Sequence, residues 1–591
     1  MTLVRFDDLT PGSERSFRLE EPVGVLEARR PDEVPGVLEA AEAAAGRGLW
    51  AAGFVAYEAA PGLNADLEVR AREPGDVFGE LPLAWFALFA ERREAAPLDP
   101  PAEAPDPAPS PWRRSVLRET YDAAIARIRE AIAAGDTYQV NHTFRLRSTL
   151  AGDARGLYRD LALGQRGGYA AFLSAGRYQV LSASPELFFR MDGDRITTRP
   201  MKGTAPRGRW LQEDEEIRRR LVASAKDRAE NAMIVDLLRN DLGRISVAGG
   251  VAWDDLFHAE RYETVWQLTS TIAAALRPST GVLDVFRALF PSGSVTGAPK
   301  VATMKVVAEL EDSPRGVYCG AVGYLAPPAS GEPRANFNVA IRTVVVDTHS
   351  GLAEYGVGGG VTYDSSASGE YEEALAKARV LTEARPAFGL FETLRWSAIE
   401  GFAHLPEHLG RMGDSAAYLG FRFDAATAAS ALEKAVADLG EAEARIRLQL
   451  ERDGDLTTEV APLAPGPEGP VRVALDDDPV DPNDVWLFHK TTRRGPYERR
   501  RERRPDVEDV VLVNTRGEVT ETTIANLAVR LEGRWVTPLR GSGLLAGTYR
   551  EVLVREGRLE ERPVRIEELR SAGGLALVSS VRGWREAVLV P

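Results

Sequence analysis

Along the chain, apolar and polar positions fall into helical and strand-like stretches in turn. Ile125, Ile128 and Ile132 recur at helical spacing, and Gly135 stands where such a helix would stop. The next stretch, YQVNHTFRL, alternates. Tyr138, Val140, Phe144 and Leu146 share one face, and Gln139, Asn141 and Thr143 share the other. That polar face suits either a cleft or solvent. Strand-like runs also cover Phe54 to Tyr57, Tyr318 to Leu325 and Val339 to Val346. KDRAENAMIVDLLRND, with Ile234, Val235 and Leu238 turned to a core, reads as a helix, as do GEYEEALAKARVL and Ala429 to Leu439. Strands and helices mix in both parts of the chain, which predicts an α+β fold throughout.

Punctuation divides the chain. Residues 97–112, PLDPPAEAPDPAPSPW, have almost nothing to bury and read as an extended connector. Around ARPAF (384–388) a helical pattern meets a proline and a new strand-like run begins. The predicted organisation is therefore 1–96, the linker 97–112, a catalytic region 113–383, and a second domain 386–591. No internal repeat is visible.

At 591 residues there is room for about two to four domains. A formal charge of −15 argues against a nucleic-acid binder, which needs cationic contacts to phosphate. The first ten residues carry Arg5, Asp7 and Asp8 rather than a signal-peptide core, and the longest apolar run, Leu81 to Ala90, is too short to span a bilayer. Cys319 is the only cysteine, so neither an internal disulfide nor a cysteine-rich metal site can form. A cytoplasmic, globular enzyme is the expectation.

Of 73 basic residues only seven are lysines: Lys202, Lys226, Lys300, Lys305, Lys377, Lys434 and Lys490. Arginine stays charged, whereas lysine can lose its proton and attack carbon. In a chain that uses arginine almost everywhere, a lysine among glycines and prolines is a candidate amine, and Lys202, Lys300 and Lys490 have that setting. Lys434, in a helical stretch, reads as a leftover surface cation.

Two acidic pairs stand out. Asp227 and Glu230 are three apart in one helical stretch, Glu370 and Glu373 in another. Like charges at that spacing repel by a few tenths of a kcal/mol, and a hard divalent cation between the helices would reverse both repulsions. An acidic, solvated helix face, with Glu373 and Lys377 as a surface pair, is the competing reading.

The motif text decides between them. LSASPELFF (181–189), RPMKGTAPRG (199–208), AENAMIVDLLRNDLGR (229–244), PSGSVTGAPKVATM (291–304), RGVYCGAVGY (315–324), FNVAIRT (337–343) and GGGVTYDSSASGEYEEALAKAR (358–379) occur in this order. Together they resemble the chorismate-utilising enzymes, over roughly residues 1–383. The resemblance implies that Glu230 and Glu373 bind Mg2+ directly and Asp227 and Glu370 through water. It implies that Glu186 is the acid for a departing hydroxyl. Thr204, Thr296, Lys300, Tyr324, Arg342, Lys377 and the amides of Gly358, Gly359 and Gly360 fall within its substrate-binding motifs. Gln139 stands where water-using members carry lysine, which fits an ammonia-using member. Lys202 stands where anthranilate synthases carry alanine, which resembles the nucleophile of aminodeoxychorismate synthase. Gln267 replaces a usual histidine, which shifts proton transfer onto Glu186. A glutaminase needs a nucleophilic cysteine with a histidine. Cys319, in an apolar run, reads as core, so the ammonia would come from a separate glutaminase subunit.

The second part begins AFGLFETLRW and HLPEHLGRMGDSAAYLGF. His404 and His408 lack the acid of a zinc motif, and Pro406 between them interrupts a helix, so they read as structural. LFHKTTRRGPYE (487–498), TRGEVTETTIANLAVR (515–530), TPLRGSGLLAGTYR (537–550) and SSVRGW (579–584) follow. This set resembles the fold-type IV pyridoxal-phosphate enzymes, which include branched-chain and D-amino-acid aminotransferases and 4-amino-4-deoxychorismate lyase. The resemblance implies that Lys490 holds pyridoxal 5'-phosphate and then moves protons. It places Glu521 at the pyridine nitrogen, Asn526 beside it in the same motif, and Arg411 with the Gly547 and Thr548 amides at the phosphate. Thr393 would lie near the lysine, and Arg582 at a substrate carboxylate. Such domains commonly pair, which implies a homodimer.

The two resemblances together imply successive reactions. Chorismate and ammonia would give 4-amino-4-deoxychorismate, which would lose pyruvate to give 4-aminobenzoate for folate or a specialised metabolite. The alternatives are an anthranilate synthase, a second half acting as an aminotransferase, and a degenerate scaffold for a glutaminase.

Overall fold

The computed structural model describes all residues except 1, 13, 74, 77, 100–110, 152, 383–386, 441–442 and 467–468. Most of the proline-rich connector and the start of the expected domain boundary therefore lie outside the described residues. Two compact units are present, Met1–Pro206 with Arg218–Ala387, and Arg207–Ile217 with Phe388–Pro591.

The first unit contains two ten-stranded sheets. In one, the strand Gln139–Thr149 lies between Gly297–Ala298 and Leu352–Val361. In the other, Val265–Leu276 lies between Met201–Pro206 and Arg195–Arg199. The helix carrying Ile125 and Ile128 spans Arg118–Ala134, and Gly135 ends it at φ 85°, the left-handed conformation that only glycine adopts cheaply. The alternation after it does form a strand, but both faces are buried. Gln139, Asn141 and Thr143 are enclosed, whereas Tyr138 is exposed. The run Val339 to Val346 is broken. Strands Ala335–Val339 and Thr343–Asp347 flank a turn in which Arg342 takes φ 52°. Tyr318 likewise precedes its strand, Ala321–Leu325. Cys319 is buried in the core of this unit, where burial pushes its thiol up to about 11.

The second unit contains a four-stranded sheet, with Leu390–Ser397 paired to Ala444–Leu450, and an eight-stranded sheet that includes Val519–Thr522 and Asn526–Leu531. Leu390, Leu394, Ile446, Leu448 and Leu450 bury one face of the smaller sheet against Met412, Ala416 and Leu432. Pro406 does not interrupt a helix. It sits in the first turn of Leu405–Leu419, where its missing N–H costs nothing, and His404 is the residue before that helix. The segment Arg207–Ile217, within the expected catalytic region by sequence, clusters with this unit. Its Arg209 carbonyl accepts from His489 Nε2 at 3.1 Å, and its Gly208 carbonyl accepts from the Tyr418 hydroxyl at 2.6 Å. Among the described residues no helix is long and apolar enough to cross a membrane.

Candidate active sites

In the first unit a cavity of about 260 Å³ is walled by strand and helix in turn. The strand Met201–Pro206 contributes Lys202 and Thr204, and Thr204 Oγ1 donates to Gln267 Oε1 of the neighbouring strand at 3.2 Å. The helix Ala225–Gly243, capped by Ser224, contributes Asp227 and Glu230. Lys202 Nζ stands 3.7 Å from Glu230, and Asn231 donates to the Lys202 carbonyl at 3.1 Å, fixing strand to helix. The helix Ala367–Ala378, capped by Ser366, contributes Glu370, Glu373 and Lys377. Lys377 Nζ lies 2.9 Å from both Glu373 and the Gly358 carbonyl. Arg342 also lines the cavity and donates to the Lys377 carbonyl at 2.7 Å.

Glycines form the remaining wall. A Cβ at Gly358 would lie 2.2 Å from the His142 carbonyl, and one at Gly360 would lie 2.4 Å from Lys202 Nζ and 2.5 Å from Gln139 Nε2. Gln139 thus ends beside the Lys202 amine. It is buried, and neither atom of its amide has a hydrogen-bond partner among the described residues.

Burial sets the charges. Glu186, 2% exposed, has its carboxyl pushed up to about 8 by desolvation, against the pull of a Ser294 hydrogen bond and the Lys202 charge. Desolvation also raises Glu370, with repulsion from Glu373 adding to it. Glu373 is lowered by the Lys377 cation. Four carboxylates, three amines and one buried acid therefore share a single cavity. That arrangement can bind anions and a hard cation, and can move a proton.

Three expected residues lie elsewhere. The Lys300 amine is tied to Asp241 at 3.3 Å and to the Leu289 carbonyl at 2.9 Å. Tyr324 faces a different cavity, with Phe6 and Phe17. Thr296 is buried, its hydroxyl donating to the Ser292 carbonyl at 3.0 Å.

In the second unit Lys490 pairs through its backbone with Phe391, whose N–H donates to the Lys490 carbonyl at 3.1 Å. The Lys490 amine lies 4.7 Å from the centre of the Phe391 ring and has no hydrogen bond or ion pair among the described residues. Burial, aided by the Arg411 cation, lowers it to about 8. Thr393 lies opposite Arg447 across the sheet, and the Arg447 guanidinium stands 4.3 Å over the same Phe391 ring. Glu392 accepts from Arg411 at 2.9 and 2.6 Å and from His408 Nδ1 at 2.7 Å. Burial alone would raise this carboxylate, but Arg411 and His408 overcome it and hold it at about 2. His408 is thus a link from Glu392 to the Thr548 hydroxyl, 3.3 Å from its other nitrogen.

Glu521 is buried and pushed up to about 8 by desolvation. Asn526 donates to it at 3.4 Å and to the Leu545 carbonyl at 2.8 Å, and the Tyr497 hydroxyl donates to it at 3.4 Å. Gly547 and Thr548 begin the helix Thr548–Arg555, and a Cβ at Gly547 would lie 2.0 Å from Asn526 Oδ1. Arg582 is apart from this group, exposed and donating to the Ala464 carbonyl at 2.6 Å. Sequence reasoning passed over Arg447, although ARIRLQL alternates charge with Ile446, Leu448 and Leu450. It also passed over Ser294, whose contact with Glu186 spans 108 residues and leaves no local signal.

Residues 12–383 match the family described as chorismate binding enzymes. The chain belongs to that family. Residues 389–590 match the class IV amino-transferases. Aminodeoxychorismate synthase component 1 of Escherichia coli is 41% identical over 268 residues, 45% of this chain and 58% of that protein. Aminodeoxychorismate synthase of Streptomyces griseus is also 41% identical, over 302 residues, 50% of this chain and 41% of that protein. The chain thus spans about half the length of these relatives. The crystal structure of anthranilate synthase component I from Streptococcus pneumoniae superposes with a TM-score of 0.53 at 26% identity, covering 62% of this chain and 92% of that one.

The residues present fit two groups that these families imply. Mg2+ suits the donors, because Asp227, Glu230, Glu370 and Glu373 offer hard carboxylate oxygens to one cavity. Among the described residues no three acidic, histidine or cysteine side chains cluster tightly enough to hold an ion alone, so ligand oxygens would complete its shell. Pyridoxal phosphate suits the other site, which offers an amine without a hydrogen bond among the described residues and a buried carboxyl ready for a cationic partner.

Proposed function

We propose that this chain carries out two successive reactions. Chorismate and ammonia give 4-amino-4-deoxychorismate at the Lys202 cavity, and that product loses pyruvate at the Lys490 site to give 4-aminobenzoate. The observation that carries the reading is the Lys202 amine, set in one cavity with a buried Glu186 and beside the Gln139 amide. A primary amine at that position is a nucleophile, and alanine would not be.

In the first reaction the nitrogen of Lys202 attacks carbon 2 while the carbon 4 hydroxyl departs with a proton from Glu186. A carboxyl held near pH 8 is protonated at neutral pH and can supply that proton. Gln139 orients ammonia for attack at carbon 4, which expels the lysine. Arg342, Thr204 with Gln267, and the Gly358 to Gly360 amides hold the substrate. Glu230 and Glu373, with Asp227 and Glu370, would hold Mg2+, which neutralises substrate carboxylates. The ammonia would come from a separate glutaminase subunit, as the "component 1" of the relatives' names suggests.

At the second site Lys490 would bind pyridoxal phosphate, with Glu521 at its ring nitrogen and Arg411, Gly547 and Thr548 at its phosphate. The cofactor supplies an electron sink. Lys490 Nζ, lowered to about 8, takes and returns protons at neutral pH. Thr393 faces the substrate, and Arg447, rather than the exposed Arg582, supplies the cation for a substrate carboxylate. A homodimer in the cytoplasm, feeding folate or a specialised product, rests on the family resemblance.

The test is incubation of the pure protein with chorismate, Mg2+ and ammonium, with and without pyridoxal phosphate. The reading expects 4-aminobenzoate and pyruvate with the cofactor, and aminodeoxychorismate without it. Formation of 2-aminobenzoate would make the first half an anthranilate synthase. Aminodeoxychorismate persisting with the cofactor present would leave the second half to be assayed as an aminotransferase.

A further inference from the structure

The Glu186 carboxyl has two oxygens in different surroundings. Oε1 accepts a hydrogen bond from Ser294 Oγ at 2.5 Å, and among the described residues no hydrogen bond reaches Oε2. Ser294 Oγ is in turn 2.9 Å from Ser292 Oγ. A hydroxyl has one hydrogen. With the hydrogen of Ser294 committed to Glu186, Ser292 must be the donor to Ser294.

The frame around these groups is fixed. Arg315, buried, donates to the Val295 carbonyl at 2.8 Å. Thr296 donates to the Ser292 carbonyl, and a Cβ at Gly293 would lie 2.4 Å from Leu237. The Glu186 backbone is held on both sides, its N–H donating to Ser184 Oγ at 3.2 Å and its carbonyl accepting from Val339 at 3.1 Å. The backbone on both sides of the 2.5 Å bond is thus anchored.

We infer that Ser294, oriented by Ser292, is a positioning residue that reserves Oε1 of Glu186 as an acceptor and leaves the transferable proton on Oε2, the oxygen open to the cavity. This rests on the reading of Glu186 as the acid. In that step the Oε2–H bond breaks and its proton joins the departing carbon 4 oxygen, which leaves as water with the electrons of the C–O bond. The lone pair of Lys202 Nζ forms the bond to carbon 2, its nitrogen takes the positive charge, and Glu186 is left as a carboxylate to which Ser294 still donates. Lys202, which lines the same cavity, is the ionisable side chain that acts electrostatically on Glu186.

Ser294→Ala and Ser292→Ala test this in the full chain, through the pH dependence of chorismate consumption with saturating ammonium and Mg2+. Ser294→Ala removes a donor to the carboxylate, so the acid holds its proton to higher pH and the alkaline limb of the kcat profile moves up. We expect kcat at neutral pH to fall at least about tenfold, a part of what a positioned acid contributes, with KM within about twofold and Ser294→Thr restoring both limb and rate. Ser292→Ala shifts the limb the same way by less, and serves if Ser294→Ala does not fold. An alkaline limb that stays in place in both alanine variants overturns the inference. Wild-type protein that fails to consume chorismate sinks the functional reading instead.

Discussion

Gly360→Ala should silence the first site with little loss of stability, and Gly358→Ala should cost stability. The added methyl at 360 would come within 2.4 Å of Lys202 Nζ and 2.5 Å of Gln139 Nε2, both ends of side chains that can swing away. Neither glycine lies in the left-handed region, so alanine meets no backbone strain. At 360 the overpacking cost, near the low end of about 1–3 kcal/mol, is offset by about 0.4–1 kcal/mol from a stiffer unfolded chain. Stability should hardly move. Turnover should, because displacing the reacting amine by about 1 Å costs on the order of 10²-fold, or about 2.7 kcal/mol of barrier. At 358 the methyl meets the His142 carbonyl at 2.2 Å, on the paired strand. Backbone must move there, and about 2–3 kcal/mol of stability should go. Chemical denaturation together with chorismate consumption separates the two effects. Wild-type turnover in Gly360→Ala, or equal destabilisation of both variants, would refute the placement of Lys202 and Gln139 against this wall.

Other expectations follow from the same geometry. Lys490→Ala should abolish the visible absorbance acquired with pyridoxal phosphate and stop pyruvate release, while chorismate is still aminated; Lys202→Ala should do the opposite, and product chromatography reads both. A chelator should halt chorismate consumption, and added Mg2+ should restore it, with pyruvate release from supplied aminodeoxychorismate unaffected. Glu311, enclosed by Arg315 at 2.7 Å and Arg145 at 3.4 Å, should cost about 3–5 kcal/mol when changed to alanine, because two buried cations lose their partner. Its carboxyl is raised by burial but pulled down to about 2, chiefly by Arg315, from an ordinary 4.5. Its contribution is therefore complete above pH 4.5 and fades as pH falls towards 2, and acid unfolding followed by circular dichroism should show Glu311→Gln losing much of that dependence.

What the sequence alone determined was local or lexical. Helical periodicity and a glycine stop at 135 depend on neighbours a few residues apart, and Arg118–Ala134 forms where they point. Ordered motifs carried both families, because a run such as PSGSVTGAPK retains its meaning wherever it folds. The scarcity of lysine singled out Lys202, Lys300 and Lys490, of which Lys300 is tied to Asp241 and the Leu289 carbonyl instead. Tertiary structure decided the rest. Alternation showed that Gln139 is polar on one face, but whether that face meets water depended on distant groups packed against it, such as Glu311, which accepts from the Thr143 hydroxyl at 2.7 Å. The hydrogen bond from Ser294 to Glu186, the shared Phe391 ring under Lys490 and Arg447, and the passage of residues 207–217 into the second unit all join distant parts of the chain. The same holds for the charge on a buried acid. Glu186 and Glu311 are the same residue type, and only their surroundings hold one near 8 and the other near 2. Desolvation and partner charge act through space, and no spacing along the chain encodes them.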